Sequence, residues 1–347
     1  GCALAQFDSH SDDDGHRNTP SVFNTKELPE TDEIPTINES ADQNMYADET
    51  TESESIPIND EDLEEFFLSV LQLSGLPRFT NHAEERANMT DGEKAAALSD
   101  MFGKYCNVDI QKSKRTRRDL DPESIAFLIK RMRDEIEGIP KSNKQALLEA
   151  QENCGEEEFS DERLERFLRC EGMDAQLAAK RFVRYWDKRR HVFGSEKYIM
   201  KMTLSEALCD DLPALQAGWV QLLPEVDTSG RQLLYFEPAR HKKQGYTSES
   251  LLRAAWYVIE VASRANKDID SGVVELVWDK HSTVWEYDHW LYKQLLEFEA
   301  SCWPCRFDCY HVCCTPKFIE RVVVPIVSAL QSKRCRTRSV WHDVPEH

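Results

Sequence analysis

The sequence holds 347 residues with a formal net charge of -20, which is enough length for one large domain or two smaller ones. No stretch approaches the roughly 18 uninterrupted apolar residues of a membrane span, and the acidic balance argues against a nucleic-acid-binding protein. Eleven cysteines are too few for a disulfide scaffold, and their odd number excludes complete pairing.

The first 60 residues are strongly acidic. They hold fifteen Asp and Glu side chains against Arg17 and Lys26, with Ser, Thr, Asn and Pro between them. Such a stretch cannot bury enough apolar surface to offset its chain entropy, so residues 1–60 are predicted to form a disordered acidic leader. The chain does not begin with Met, so we expect a fragment at this end. Residence in the cytoplasm is the default expectation.

Helical spacing of apolar residues dominates the next part of the chain. The periodicity predicts helices over Asp60–Leu76, Pro122–Ile136 and Ser142–Gln151, whereas residues 78–118 are only weakly periodic. We therefore predict a helix and a linker over residues 61–118, followed by an all-α subdomain over residues 119–192.

The clearest helical pattern runs from Asp161 to Trp186 and predicts two short amphipathic helices. Ser160 is expected to cap the first helix, Gly172 to end it and Asp174 to cap the second.

The spacing of the apolar residues changes from Trp219 onward. Two predicted strands joined by a turn at Asp227–Gly230 come first, and helices and strands then alternate. The later elements are helix Ser248–Arg264, strand Val273–Trp278, helix Asp288–Cys302, strand Phe307–Cys314, helix Lys317–Gln331 and strand Thr337–His342. This alternation predicts an α/β fold, in which a mostly parallel sheet is flanked by helices and preceded by the all-α subdomain and the acidic leader.

Motifs of common enzyme classes are missing from the sequence. It contains no G-x-G-x-x-G, G-x-x-x-x-G-K-[ST], G-x-S-x-G or H-E-x-x-H. A hydrolytic triad from Asp279, His281, Ser282 and His289 is a weak interpretation, because the nucleophile elbow is missing. A zinc site among the five cysteines from Cys302 to Cys314 is also weak, since one buried strand explains most of them.

The first of the two short amphipathic helices and the start of the second follow a specific residue order, at Asp161, Leu164, Arg166, Phe167, Leu168, Arg169, Asp174 and Ala178. This order resembles the pattern D-x-x-L-x-R-F-L-R-A-R-x-F-D-x-x-x-A of the CRAL-TRIO lipid-binding family, of the phosphatidylinositol/phosphatidylcholine transfer type with an N-terminal helical subdomain. D-T-S-G-R at 227–231 is similar to the family's D-x-x-G-R, W-P-C-R at 303–306 to its Y-P-E-R, and T-P-K-F at 315–318 to its N-x-P-x-x-F. Cys305 stands where the family has an acid, which leaves phosphoinositide recognition open.

The resemblance implies a lipid-binding domain over residues 205–347, C-terminally incomplete, that holds one hydrophobic ligand in an apolar cavity under a mobile gate helix. The residues expected to form the cavity and gate are Phe318, Ile319, Val322, Val323, Pro325, Ile326 and Leu330. Arg306 and Arg338 are the headgroup candidates, because a guanidinium can hold a phosphate with two parallel bonds.

The expected function is lipid binding and lipid transfer between membranes, without catalysis. The expected partners are a phospholipid or another hydrophobic small molecule and a transient membrane surface, with no nucleic acid, no metal and no cofactor beyond the bound lipid. One alternative is a non-enzymatic scaffold that keeps the fold and binds a protein through the acidic leader or through the two short helices between Asp161 and Trp186. A further alternative is an α/β hydrolase.

Overall fold

The computed structural model describes residues 82–102, 120–241, 245–265, 272–283, 286–313, 315 and 317–342, all within the unit Ile58–His347. The predicted acidic leader and the predicted helix Asp60–Leu76 lie outside the described residues. The helices are α1 (His82–Ala87), α2 (Asp91–Phe102), α3 (Pro122–Gly138), α4 (Gln145–Asn153), α5 (Asp161–Cys170), α6 (Ala175–Lys197), α7 (Leu212–Gln216), α8 (Ser248–Ala265), α9 (His289–Ser301), α10 (Lys317–Leu330) and α11 (Lys333–Thr337). The strands are β1 (Val220–Val226), β2 (Gln232–Phe236), β3 (Val273–Trp278), β4 (Phe307–Cys313) and β5 (Ser339–His342).

The helical part before the sheet follows the predicted signals closely. The Ser160 side chain accepts a hydrogen bond from the Arg163 amide, and Asp174 accepts from the amides of Gln176 and Leu177, so both predicted caps are confirmed. Gly172 adopts a positive φ of 63° between the two helices, a conformation that glycine reaches without a steric penalty.

The helical segment α6 is longer than predicted, because it continues past Trp186. Gly194, whose φ of 76° and ψ of 173° are not helical, interrupts it with a kink before its end at Lys197. The buried face continues through Arg189, Val192 and Phe193, which lie one and two turns beyond Trp186. The sequence prediction stopped too early because a charged stretch, 187–191, hides this continuation.

Helices α1 and α2 occupy a region that sequence periodicity did not predict as helical. Charge, more than an apolar stripe, attaches them to α11 and to the segment that follows it. Glu85 pairs with Arg336 at 2.6 Å, and Asp100 pairs with Arg338 at 2.7 Å. These partners are separated by more than 230 residues in the chain, so no local pattern could reveal them.

The five strands form one sheet in the order β1-β2-β3-β4-β5. Strands β1 and β2 are antiparallel, and every later neighbouring pair is parallel. The predicted α/β class with a mostly parallel sheet and an all-α region before it is therefore confirmed. The last strand begins at Ser339 instead of Thr337, because residues 333–337 form α11. The Ser332 side chain caps this helix by accepting a hydrogen bond from the Cys335 amide.

Strand order decides where the crossover helices lie. When parallel strands are added in chain order and each crossover is right-handed, successive helices fall on the same face of the sheet. Helices α8, α9 and α10 all border one cavity together with Glu275 and Val277, which alternate to one face of β3. One face of the sheet and three helices thus enclose a shared interior.

A buried cluster of charges joins the helical region to α8. Arg163 of α5 lies 2.6 Å from Glu260 of α8, and Arg264 lies 2.6 Å from Glu158 and 3.0 Å from Glu260. Burial alone would raise the pKa of Glu260, yet the guanidinium groups of Arg163 and Arg264 hold it well below its usual range. This carboxylate remains ionised in the interior because cations surround it.

We predict that Arg163→Met destabilises the protein by about 3–5 kcal/mol, since Glu260 and Glu158 then lose a buried cation. Chemical denaturation at neutral pH measures the change in unfolding free energy. Arg133→Met is the matched control, because the Arg133–Asp161 pair is exposed and should contribute little. Equal effects of the two substitutions would contradict a structural role for the buried cluster.

Candidate ligand cavity

A cavity of about 120 Å3 lies between the sheet and helices α8, α9 and α10. The sheet contributes residues of β2, β3, β4 and β5, among them Val277 and Val312. The remaining apolar and aromatic lining includes Phe236, Ile259, Tyr287, Tyr292, Leu295, Leu296, Trp303, Phe307, Ile319, Val323, Val324 and Val327. A mostly apolar wall with a few polar groups is the usual composition of a small-molecule site.

Two carboxyl groups stand inside this apolar lining. Glu275 projects from β3 and Glu299 from α9, and both line the cavity. The Tyr310 hydroxyl donates a hydrogen bond to Glu299, whereas within the described residues no hydrogen bond or ion pair engages the Glu275 carboxyl. Of these two acids, Glu299 has a hydrogen-bond partner, and Glu275 has none within the described residues.

Burial perturbs both acids in the same direction. Burial and the nearby Glu299 raise the pKa of Glu275 to about 8, and burial raises the pKa of Glu299 to about 7 against the opposing effect of Tyr310. Partial removal from water disfavours the charged form of each carboxyl, and the charge of Glu299 further disfavours the ionised form of Glu275. A cavity with this pair retains a proton near neutral pH.

A third acid lies where β3 ends. Asp279 accepts hydrogen bonds from the hydroxyls of Ser282 at 3.1 Å and Thr315 at 3.3 Å. Burial raises its pKa, although both hydroxyls oppose the shift. Ser282 thus donates to a carboxylate, and His289 contacts the Tyr287 hydroxyl at 2.9 Å. The triad interpretation fails on these contacts, because Ser282 has no histidine base among the described residues.

The structure places the predicted cavity and gate residues on different sides of α10. Ile319 and Val323 line the cavity. Val322 and Ile326 are buried without contributing to the lining, and Pro325 and Leu330 are half-buried. The side chain of Phe318 lies outside the described part of the chain. Their roles in ligand binding stay predictions.

Both headgroup candidates are held by carboxylates of the same chain. Arg306 donates from Nε to Asp308 Oδ1 at 2.6 Å and from Nη2 to Oδ2 at 3.1 Å. Arg338 donates from Nε and Nη2 to Asp100 Oδ2 at 2.9 and 2.7 Å. Neither arginine is part of the cavity lining. Their geometry favours an internal structural role, and headgroup binding by either stays a prediction.

The structure also locates most of the cysteines that were considered as zinc ligands. Cys302, Cys305 and Cys309 are buried free cysteines, Cys314 lies outside the described residues, and no metal-binding group of three or more ligands occurs in the described ranges. No described helix has both the length and the apolar character that crossing a bilayer requires.

The sequence analysis missed Glu275 and Glu299 as site residues, although signals were available. Glu275 interrupts an otherwise apolar strand, V-V-E-L-V-W, and Glu299 follows Leu295 by one helical turn, on the buried side of α9. A charged residue at a core position is the kind of exception that marks a site.

Comparison with known proteins locates this cavity within a described family domain. Residues 216–344 match the family model described as CRAL/TRIO domain, and this range contains every strand of the sheet and helices α8 to α11. A search of curated protein sequences found no match. A solved structure described as the crystal structure of Sfh5 is similar to the chain, with a TM-score of 0.45 and 12% identity, over 64% of this chain and 81% of that chain.

The raised pKa values predict how stability depends on pH. A carboxyl whose folded pKa is raised contributes stability that is complete below its unfolded pKa and is lost as pH rises through the folded pKa. For Glu275 the loss should extend from about pH 4.5 to about pH 8. We expect Glu275→Gln to remove this decline, with a relative gain on the order of a few kcal/mol at pH 8 compared with pH 4.5.

Urea denaturation of both proteins across this pH range measures the effect. Glu297→Gln is the control, because Glu297 is an exposed residue of the same helix that carries Glu299. If the unfolding free energies of Glu275→Gln and of the parent protein change with pH in parallel, the pKa of Glu275 is not raised in the folded protein.

Proposed function

We propose, from the match of residues 216–344 to the CRAL/TRIO domain model, that the chain binds one hydrophobic ligand and exchanges it with a membrane. The observation that carries the proposal is the apolar cavity enclosed by the sheet and by α8, α9 and α10 inside the family domain. Each methylene group transferred from water into such a cavity contributes about 0.8 kcal/mol, so an acyl chain alone supplies substantial affinity.

The size of the cavity favours a movement of one wall during binding. A cavity of about 120 Å3 is close to that of an engineered protein cavity that binds benzene, whereas drug-sized ligands occupy roughly 300–1,000 Å3. We therefore infer that the described state is closed and that a lipid enters when one wall is displaced.

Helix α10 is the wall that we propose to move. It supplies Ile319, Val323, Val324 and Val327 to the lining, and Pro325 inside it removes one backbone hydrogen bond and favours bending. Displacement would expose an apolar helix face, and such a face is stabilised in the interfacial region of a bilayer. Membrane contact and ligand exchange would thus be coupled.

Lipid extraction and mass spectrometry of the purified protein test the proposal directly. We expect one hydrophobic molecule per chain after incubation with lipid vesicles and re-isolation. A protein that remains empty under these conditions would contradict ligand binding and would favour the scaffold alternative.

A filled cavity should exclude the ligand. We predict that Val323→Trp lowers ligand occupancy about tenfold or more, a change of about 1.4 kcal/mol or greater in binding free energy, because the indole takes the space that the ligand needs. Ala329→Trp is the control, since Ala329 lies on the same helix outside the lining. Thermal melting of both variants verifies that they fold, and equal ligand occupancy in the two would refute binding at this cavity.

A further inference from the structure

All charged side chains in the described cavity lining are acidic. Glu275, Asp279, Glu286 and Glu299 all contribute to it, and the described lining contains no Lys, Arg or His side chain. The arginines considered above as headgroup ligands are paired with Asp308 and Asp100 outside the lining. A phosphodiester inside this cavity would face carboxyl groups, and no described lining residue offers a compensating cation, so its burial carries a large desolvation and repulsion penalty.

Within the described residues the Glu275 carboxyl has no hydrogen-bond or ion-pair partner, so a ligand that displaces water from the cavity has to offer it a hydrogen-bonding group. An apolar ligand without polar atoms would leave Glu275 unsatisfied in the interior, and an unsatisfied buried polar group costs about 1–3 kcal/mol. Glu299 accepts a hydrogen bond at one oxygen from the Tyr310 hydroxyl, and its side chain lines the cavity together with Glu275.

A hydroxyl group has the complementary hydrogen-bonding capacity. It donates one hydrogen bond and accepts others, so it can bridge an ionised carboxylate and a protonated carboxyl at the same time. The raised pKa values of Glu275 and Glu299 mean that the pair holds a proton near neutral pH, which supplies that combination of donor and acceptor.

We propose that the cavity selects an uncharged lipid with a hydroxyl group, held between Glu275 and Glu299, in preference to a phospholipid. This inference rests on the proposed function and specifies the ligand class of the same cavity. Glu275 is then a specificity residue, because it distinguishes ligands of equal apolar size by their polar group.

The test uses ligands that share one alkyl chain and differ at its end. The full chain is incubated with phosphatidylcholine vesicles that contain equal amounts of hexadecanol, hexadecyl methyl ether and hexadecylamine, and is then re-isolated. Mass spectrometry measures the amount of each additive and of phosphatidylcholine on the protein. We expect hexadecanol to exceed the methyl ether about tenfold, as the loss of a hydrogen bond to a buried carboxyl predicts.

Variants of Glu275 test whether this residue causes the preference for the alcohol over the ether. Glu275→Leu should reduce the ratio of alcohol to ether to about one, whereas Glu275→Gln should keep most of the preference, because an amide also donates and accepts. Glu297→Leu removes a carboxyl from the exposed side of α9 and should leave the ratio as in the parent protein.

The outcomes separate this inference from the proposed function. Equal binding of alcohol and ether by the parent protein overturns the hydroxyl selection and leaves hydrophobic binding intact. Preferred binding of hexadecylamine or phosphatidylcholine also overturns it, in favour of a cationic or a phospholipid ligand respectively. Binding of none of the four overturns the proposed function and this inference together. A preference that survives Glu275→Leu shows that Glu275 is not its source.

Discussion

The strand order of the sheet is the constraint on which the rest of this structure depends. Five strands joined in chain order, with right-handed crossovers, place α8, α9 and α10 against the same face. Three helices from different crossovers must then share one apolar interior with the strands. They leave a space of about 120 Å3 that side chains do not fill, although protein interiors are normally packed as densely as organic crystals.

This interior contains acids that a purely structural core would avoid. Glu275 lies half-buried in the otherwise apolar strand β3, and burial together with the nearby Glu299 raises its pKa. The buried acid Glu260 lies among arginines that stabilise its ionised form, so that cluster holds helices together. The contrast between a compensated and an uncompensated acid is the physical reason for assigning ligand recognition to the cavity and architecture to the other cluster.

Charge pairing within the chain also restricts where a ligand's phosphate can be held. Arg338 donates a hydrogen bond to Asp100 of α2, and Arg306 donates one to Asp308 of β4. Arg336 donates a hydrogen bond to Glu85 of α1. The short basic run near the end of the chain is thus attached to the acidic surface of α1 and α2, and its positive charge is largely compensated. Selection for an uncharged ligand agrees with this use of the arginines.

The sequence by itself determined the features that depend on neighbours in the chain. The caps at Ser160 and Asp174, the turn at Gly172 and the alternation of strands and helices follow from local hydrogen bonding and apolar spacing. The order of short motifs indicated the resemblance to the CRAL/TRIO domain, whose family model matches residues 216–344. Only the tertiary structure decided which side of α10 faces the cavity, that Glu275 and Glu299 meet there, and that Arg306 and Arg338 are paired with carboxylates. The reason is that these contacts join residues brought together by strand order and by distant ion pairs such as Asp100–Arg338, which no local pattern encodes.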